Sequence, residues 1–282
     1  MIVDWPLGLA LAGGGILAGV MAGFLGIGGG TVLVPLMTAL GIPPIQAVAT
    51  SNLSIVLTSL SGTVQNWRMG LLDIRRVILL GIPALLTAQV GVGMARALPP
   101  RMLLVAFGGL LLLNIYLVEV RRQVTSAYAA QQERGEAETP PRLPAWLARL
   151  LTGGVAGVLA GLFGIGGGVI MVPLQMVLLR ESIKVAIQTS LGAIVLTAIA
   201  ATGGHAGLWD WLHLQWSGSG EIRQNVLWLP GVILGTGGLI GVQFSTRYLP
   251  KLSDQHVTII FRTFLLFLAV SVFIQAAGYR DP

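Results

Sequence analysis

Two short glycine-rich segments are the residues of this chain best suited to bind a ligand. Gly-Ile-Gly-Gly-Gly occupies residues 26–30 and recurs at residues 164–168. Glycine leaves its backbone N–H uncovered, and N–H groups at a helix start, with the positive end of the helix dipole, attract anions. The glycines predicted to bind an anion are Gly26, Gly28, Gly29, Gly30, Gly164, Gly166, Gly167 and Gly168. The alternative is that they only allow close helix packing.

Hydroxyl and amide side chains follow each glycine segment at a matching distance. They are Thr50, Ser51 and Asn52 in the first case and Thr189 and Ser190 in the second. The oxygens of a small anion need hydrogen-bond donors, and these side chains are predicted to supply some of them. Serine and threonine in apolar helices also bond their own backbone, so a purely structural role stays open.

Three basic or titratable residues are further candidates. His205 lies near the end of an apolar window, where it would bind the anion, carry a proton, or simply make one backbone bond at the membrane interface. Arg68 would attract anions at an entrance or be an ordinary membrane-edge cation. Arg262 lies within the last apolar window, where it would snorkel, form a buried pair or contact substrate.

Residues that are absent exclude several kinds of chemistry. The chain has no cysteine, and its apolar windows contain no aspartate or glutamate. Thiol catalysis, paired-carboxylate catalysis and metal-ligand clusters therefore have no basis, and we expect no enzyme activity, no metal and no cofactor. A cation substrate is also disfavoured, because sodium sites and proton relays in membranes usually use carboxylates.

Composition identifies the surroundings of these residues as a membrane. Of 282 residues, 54% are hydrophobic and 10% are charged, whereas soluble proteins carry about 25% charged residues. Such a chain cannot cover a water-facing surface, so we expect the lipid bilayer as a partner, in addition to the small anion predicted from the glycine segments. The net charge of the chain is +6. In a membrane protein such an excess of basic residues usually lies in cytoplasmic loops, so it does not indicate a nucleic-acid partner.

Charge-free windows divide the chain into two membrane halves. The longest window covers 63 residues, from Trp5 to Trp67, and a spanning helix needs about 20. We predict membrane repeats at residues 1–118 and 150–282, joined by a polar cytoplasmic linker at residues 119–149. A Trp-rich segment at residues 208–225 is predicted to lie along the membrane surface, because indole rings favour the headgroup region.

The two halves are related in sequence. Nine of 14 residues are identical between residues 23–36 and 161–174, and six of nine between residues 50–58 and 189–197. Duplicated halves interrupted by Gly and Pro at matching positions are typical of secondary transporters. The sequence thus predicts an all-α polytopic membrane protein of two homologous repeats. Each repeat would have about four full spans and a short, glycine-broken helix, which gives 8–10 membrane elements.

The distribution of arginine and lysine bears on topology. If each half has four elements, the basic residues divide ten to six between the two sides; five elements per half give twelve to four. The positive-inside rule favours the more uneven division. We therefore expect two inverted five-element repeats in the inner membrane, with both termini in the periplasm.

The doubled Gly-Ile-Gly-Gly-Gly, each followed by Val-Pro (34–35 and 172–173) and then Thr-Ser (50–51 and 189–190), resembles the TauE/SafE family of sulfite exporter-like permeases. The resemblance implies transport of sulfite, organosulfonates or other small anions by alternating access around a midplane site. A carrier of a non-sulfur organic anion and an anion channel are the alternatives. Asn52 departs from symmetry, because Leu191 holds the equivalent position.

Overall fold

The computed structural model describes residues 4–133, 143–208, 225–248 and 254–278, and every element assigned there is an α-helix. The ten helices are α1 (Trp5–Leu25), α2 (Gly30–Ala39), α3 (Pro44–Arg68), α4 (Ile74–Ala97), α5 (Pro100–Glu133), α6 (Ala145–Phe163), α7 (Gly168–Leu178), α8 (Ile183–His205), α9 (Trp228–Tyr248) and α10 (Asp254–Gly278). Residues 209–224, which are most of the Trp-rich segment 208–225, and the side chain of Arg262 lie outside the described residues.

The helices confirm the predicted all-α polytopic class. Six of them are long and apolar enough to cross a membrane, namely α1, α3, α4, α6, α8 and α9. Shorter apolar helical stretches lie in α2, α5, α7 and α10. Helix α5 continues as far as Glu133, so the first part of the range predicted as a linker is helical.

Glycine backbone geometry explains why α1 and α6 stop where they do. Gly26, Gly28 and Gly29 have φ of 66°, 78° and 81°, and the equivalent residues 164, 166 and 167 have φ of 66°, 73° and 82°. Side-chain-bearing L-residues rarely adopt this left-handed region, whereas glycine does so at little cost. The repeated motif therefore specifies two sharp breaks, which we call loop 1 (residues 26–30) and loop 2 (residues 164–168).

Loop 1 turns the chain back along α1. The α-carbon of Gly29 lies beside Ala18, and the side chain of Leu36 lies beside Gly14. Later residues of α2 thus contact earlier residues of α1, so the two helices are antiparallel. At 10 and 11 residues, α2 and α7 are about 15–16 Å long, roughly half the thickness of a bilayer core.

Helix α1 packs along α9 in the same direction, with almost no side chains between them. The α-carbons of Gly15 and Gly19 face the carbonyls of Leu234 and Gly238 so closely that a Cβ at either position would collide with them. Glycines at a spacing of four allow this approach. Helices α6 and α4 pack in the equivalent way, through Gly153, Gly157 and Gly161.

Helix α3 also runs parallel to α9. Thr50 lies beside Gly231, and further along both helices Gly62 lies beside Val242. Because α1 and α3 are both parallel to α9, they point the same way, and α2 has to return the chain between them. In sequence order, α1, α2 and α3 therefore alternate in direction as three separate elements.

Helices α3 and α8 cross in opposite directions. The side chains of Ile55 and Ile194 both lie against Gly28, whereas Gly62 lies against Leu191. A position further along α3 thus meets an earlier position on α8. The helix contacts recur when equivalent helices of the two halves are exchanged. Between the halves, α1–α9 matches α6–α4 and α3–α9 matches α8–α4; within each half, α2–α3 matches α7–α8.

Candidate functional site

The two glycine loops lie against each other. The α-carbon of Gly30 faces the carbonyl of Gly164, and the α-carbon of Gly168 faces the carbonyl of Gly26. A Cβ at Gly30 or Gly168 would collide with the opposite loop. The structure therefore brings together all eight glycines that the sequence singled out.

The loop amides are buried without hydrogen-bond acceptors. All residues of loops 1 and 2 are buried. Among the described residues, no hydrogen bond is donated by the N–H groups of residues 27–30 or 165–168. Buried N–H groups are nearly always paired, so eight unpaired amides in two touching loops form a strong candidate site for an acceptor-rich ligand. An anion is such a ligand, and the start of a helix favours its charge.

Two serines hold the loops in place across the halves. The hydroxyl of Ser51 on α3 donates to the carbonyl of Gly164 at 2.7 Å. The hydroxyl of Ser190 on α8 lies 3.1 Å from the carbonyl of Gly26 and 3.0 Å from the carbonyl of Ile187 in its own helix. A hydroxyl has one hydrogen; that of Ser51 is engaged by a loop carbonyl, and that of Ser190 is within reach of a loop carbonyl and of its own helix. This geometry suits the serines to positioning the loops, and their direct contact with an anion stays a prediction.

The two threonines occupy other surroundings. The hydroxyl oxygen of Thr50 accepts a hydrogen bond from the N–H of Leu227 at 3.0 Å, at the residue preceding α9. Thr50 therefore caps a neighbouring helix. Thr189 is buried on α8.

Asn52 is the most unusual of the predicted residues. Its side chain is fully buried on α3, and neither its amide nitrogen nor its amide oxygen has a hydrogen-bond partner. The hydroxyls of Thr31 and Ser54 are also buried and unpartnered. Sequence reasoning missed Thr31 and Ser54, although a signal existed, since the second half has Val169 and Ala193 at these positions.

His205 connects the end of α8 to α6. Its Nε2 lies 3.0 Å from the carbonyl of Gly161, and because a carbonyl can only accept, Nε2 is the donor. Its Nδ1 is buried without a partner. The ring is fully buried, so His205 makes the expected backbone bond but not at an exposed interface. In contrast, Arg68 is exposed at the end of α3.

A charged cluster that sequence reasoning did not anticipate joins three elements. Glu181, between α7 and α8, pairs with Arg76 of α4 at 3.3 Å and with Arg149 of α6 at 3.6 Å. Arg76 also pairs with Asp73 at 2.9 Å. Burial raises the pKa of Glu181, and the two arginines oppose that shift. The turn between α7 and α8 thus lies beside the starts of α4 and α6.

Comparison with known proteins agrees with this architecture. The family model described as Sulfite exporter TauE/SafE matches residues 11–272. The chain is 26% identical over 270 residues to a Bacillus subtilis protein named "Probable membrane transporter protein YunE", covering 90% of this chain and 93% of that one. It is 27% identical over 240 residues to the B. subtilis "Probable membrane transporter protein YdhB", covering 83% and 89%.

A plant relative matches over a shorter range. The Arabidopsis thaliana "Sulfite exporter TauE/SafE family protein 3" is 32% identical over 84 residues, which cover 30% of this chain and 18% of the plant protein. The family model, in contrast, covers both glycine loops and nearly all of the described helices. The chain therefore belongs to the TauE/SafE family of membrane transporters.

Proposed function

We propose that the protein is a secondary carrier of small sulfur-containing anions, such as sulfite or organosulfonates, and that it works by alternating access. The observation that carries the proposal is the pair of touching glycine loops with unpaired amides. A sulfite or sulfonate group presents three oxygens, and converging N–H groups from two helix starts would bind it without a basic side chain. This supports small-anion transport more directly than catalysis.

The arrangement of the halves supports alternating access. The serines tie each loop to a helix of the opposite half, so movement of one half relative to the other would change both loops together. Two halves that rock around a fixed central site would expose it to each side in turn.

We place the protein in the inner membrane as two inverted repeats of five elements. Both termini would be periplasmic, and the segment around Gln131 would be cytoplasmic. The opposite directions of α3 and α8 support inversion. The pairing of Glu181 with Arg76 and Arg149 supports the twelve-to-four charge division, which needs the α7–α8 turn and the starts of α4 and α6 on one side.

Transport assays test the function. The purified protein is reconstituted in liposomes loaded with unlabelled sulfite, and uptake of radiolabelled sulfite is measured against protein-free liposomes. We expect saturable uptake that internal sulfite stimulates. Uptake without saturation or stimulation would indicate a channel. Stimulation by lactate but by neither sulfite nor sulfoacetate would indicate a carrier of non-sulfur anions.

Cysteine labelling tests the topology, because the natural chain has no cysteine. Single cysteines at Gln131 and Lys184 should be protected from an impermeant maleimide in intact spheroplasts, whereas a cysteine at Arg101 should react. Four elements per half would put positions 131 and 184 on opposite sides. Labelling at only one of these two positions would therefore overturn the five-element arrangement.

A further inference from the structure

One carboxamide within the membrane helices has hydrogen-bonding capacity that an anion alone cannot use. Asn52 is fully buried, and both its Oδ1 and its Nδ2 are unpartnered. Nδ2 can donate to an anion, as the loop amides can. Oδ1 is only an acceptor, and a fully deprotonated sulfonate or carboxylate group has no hydrogen to offer it.

Among the described residues, Asn52 is the carboxamide in which both polar atoms are buried without a partner, whereas Asn66 lacks a partner only at its buried Nδ2 and Gln175 only at its buried Oε1. The Nδ2 of Asn114 on α5 donates to the carbonyl of Leu110 at 2.8 Å. The Nε2 of Gln175 on α7 donates to the carbonyls of Met171 and Ala186, at 3.2 and 3.3 Å. The amide nitrogen of each of these side chains is held by a backbone carbonyl, whereas that of Asn52 has no protein acceptor.

The position of Asn52 relates it to the glycine loops. It follows Ser51, whose hydroxyl contacts loop 2, so both residues lie on one turn of α3 at the depth of the loops. The second half has Leu191 at the equivalent position, also fully buried. A leucine there shows that the fold does not require a polar side chain at this depth.

We propose that Asn52 selects an anion that also carries a hydrogen-bond donor, such as a hydroxyl group, next to its charged head. The loop amides would bind the charged oxygens, and Oδ1 of Asn52 would accept from the donor. This inference rests on the proposed function of the loops as an anion site. It narrows the substrate to hydroxylated or otherwise donor-bearing small anions, whether the head is a sulfonate or a carboxylate.

Matched ligand pairs test the inference for either head group. 2-Hydroxyethanesulfonate and propane-1-sulfonate differ by a hydroxyl in place of a methyl, as do lactate and isobutyrate. Binding of each to purified protein is measured by titration calorimetry. We expect the hydroxylated member of the pair that binds to be preferred at least about tenfold, because its analogue leaves a buried acceptor unpaired.

Two variants assign the preference to Asn52. Asn52→Leu, which installs the residue of the second half, should reduce the preference to within about twofold by weakening the hydroxylated ligand. Asn114→Leu is the matched control and should retain the preference. Equal binding of both members by the wild-type protein, or a preference that survives in Asn52→Leu, would overturn the inference alone. Binding of neither pair, together with absent sulfite binding, would overturn the proposed anion site itself.

Discussion

The two halves of the molecule match closely in their glycine loops but not in the side chains that surround those loops. The loops have the same sequence, nearly the same φ values, and reciprocal contacts in which each glycine at a helix start faces the other loop. Backbone amides do not depend on residue type, so two identical loops can present equal donors from opposite directions. In the proposed mechanism, the matched part of the molecule would supply charge recognition.

The surroundings are unequal, although not in one direction only, since Gln175 of the second half, whose Oε1 is buried without a partner, corresponds to Met37 of the first. The first half has buried polar side chains without partners near its loop, and the second half has apolar ones at the same positions; the pairs are Thr31 with Val169, Asn52 with Leu191, and Ser54 with Ala193. Conversely, Glu181 of the second half, with its ion pairs, corresponds to Ile42. The unmatched part is therefore where selectivity and a difference between the two membrane sides are expected.

The largest effect is expected from adding a side chain at the positions where the two loops touch. In Gly30→Ala and Gly168→Ala, the new methyl group would collide with the carbonyl of Gly164 or Gly26. We expect each variant to lose at least about tenfold in transport rate and about 1–3 kcal/mol in stability from overpacking. Transport is measured in liposomes at equal protein content, and unfolding is measured in detergent.

The matched control is Gly13→Ala, because a methyl group at Gly13 would meet open space. It should transport like the wild-type protein. A large loss in one loop variant with a normal rate in the other would contradict the equivalence of the two loops.

A smaller effect is expected from the serines that hold the loops. Ser51→Ala and Ser190→Ala each remove a hydroxyl from a loop carbonyl, which should lower stability by about 1 kcal/mol. Because the Ser51 hydroxyl donates to Gly164 and the Ser190 hydroxyl lies within reach of the carbonyls of Gly26 and Ile187, half-saturation for the anion should change by less than about threefold. A rise of about tenfold or more, with unchanged stability, would show that the hydroxyls bind substrate directly.

The smallest effect is expected from the carboxyl group of Glu181, which has no counterpart in the first half. Burial raises the pKa of Glu181 from 4.5, against the attraction of Arg76 and Arg149. The folded state therefore binds this proton more tightly than the unfolded chain, so the associated stability is present at low pH and is lost as pH rises through the raised pKa.

Glu181→Gln, which keeps the shape of the neutral carboxyl group, should remove that fall in stability, a change of about 1 kcal/mol or less. Melting temperatures of wild type and variant between about pH 4.5 and pH 7 measure it. If wild-type stability relative to the variant instead increases with pH, attraction to the arginines outweighs the cost of burial.

Sequence alone predicted the features that depend on local backbone chemistry. The glycine motif could be recognised because uncovered N–H groups and a broken helix both favour glycine, and the repeat could be recognised from identical residues at nearly constant spacing. The hydrogen-bond acceptor of Ser51 could not be predicted, because Gly164 is 113 residues away in the sequence and its approach depends on how the two halves pack. For the same reason the sequence did not show that Glu181 meets Arg76 and Arg149.

The central claim is that both loops bind one anion through their amides, and amide NMR tests it most directly. Protein labelled with ¹⁵N-glycine in lipid nanodiscs is titrated with sulfite, and loop resonances are assigned with single glycine variants. We expect saturable downfield shifts of the Gly28–Gly30 and Gly166–Gly168 amides that fit one dissociation constant. Unchanged amides in both loops, at sulfite concentrations that saturate transport, would contradict the account.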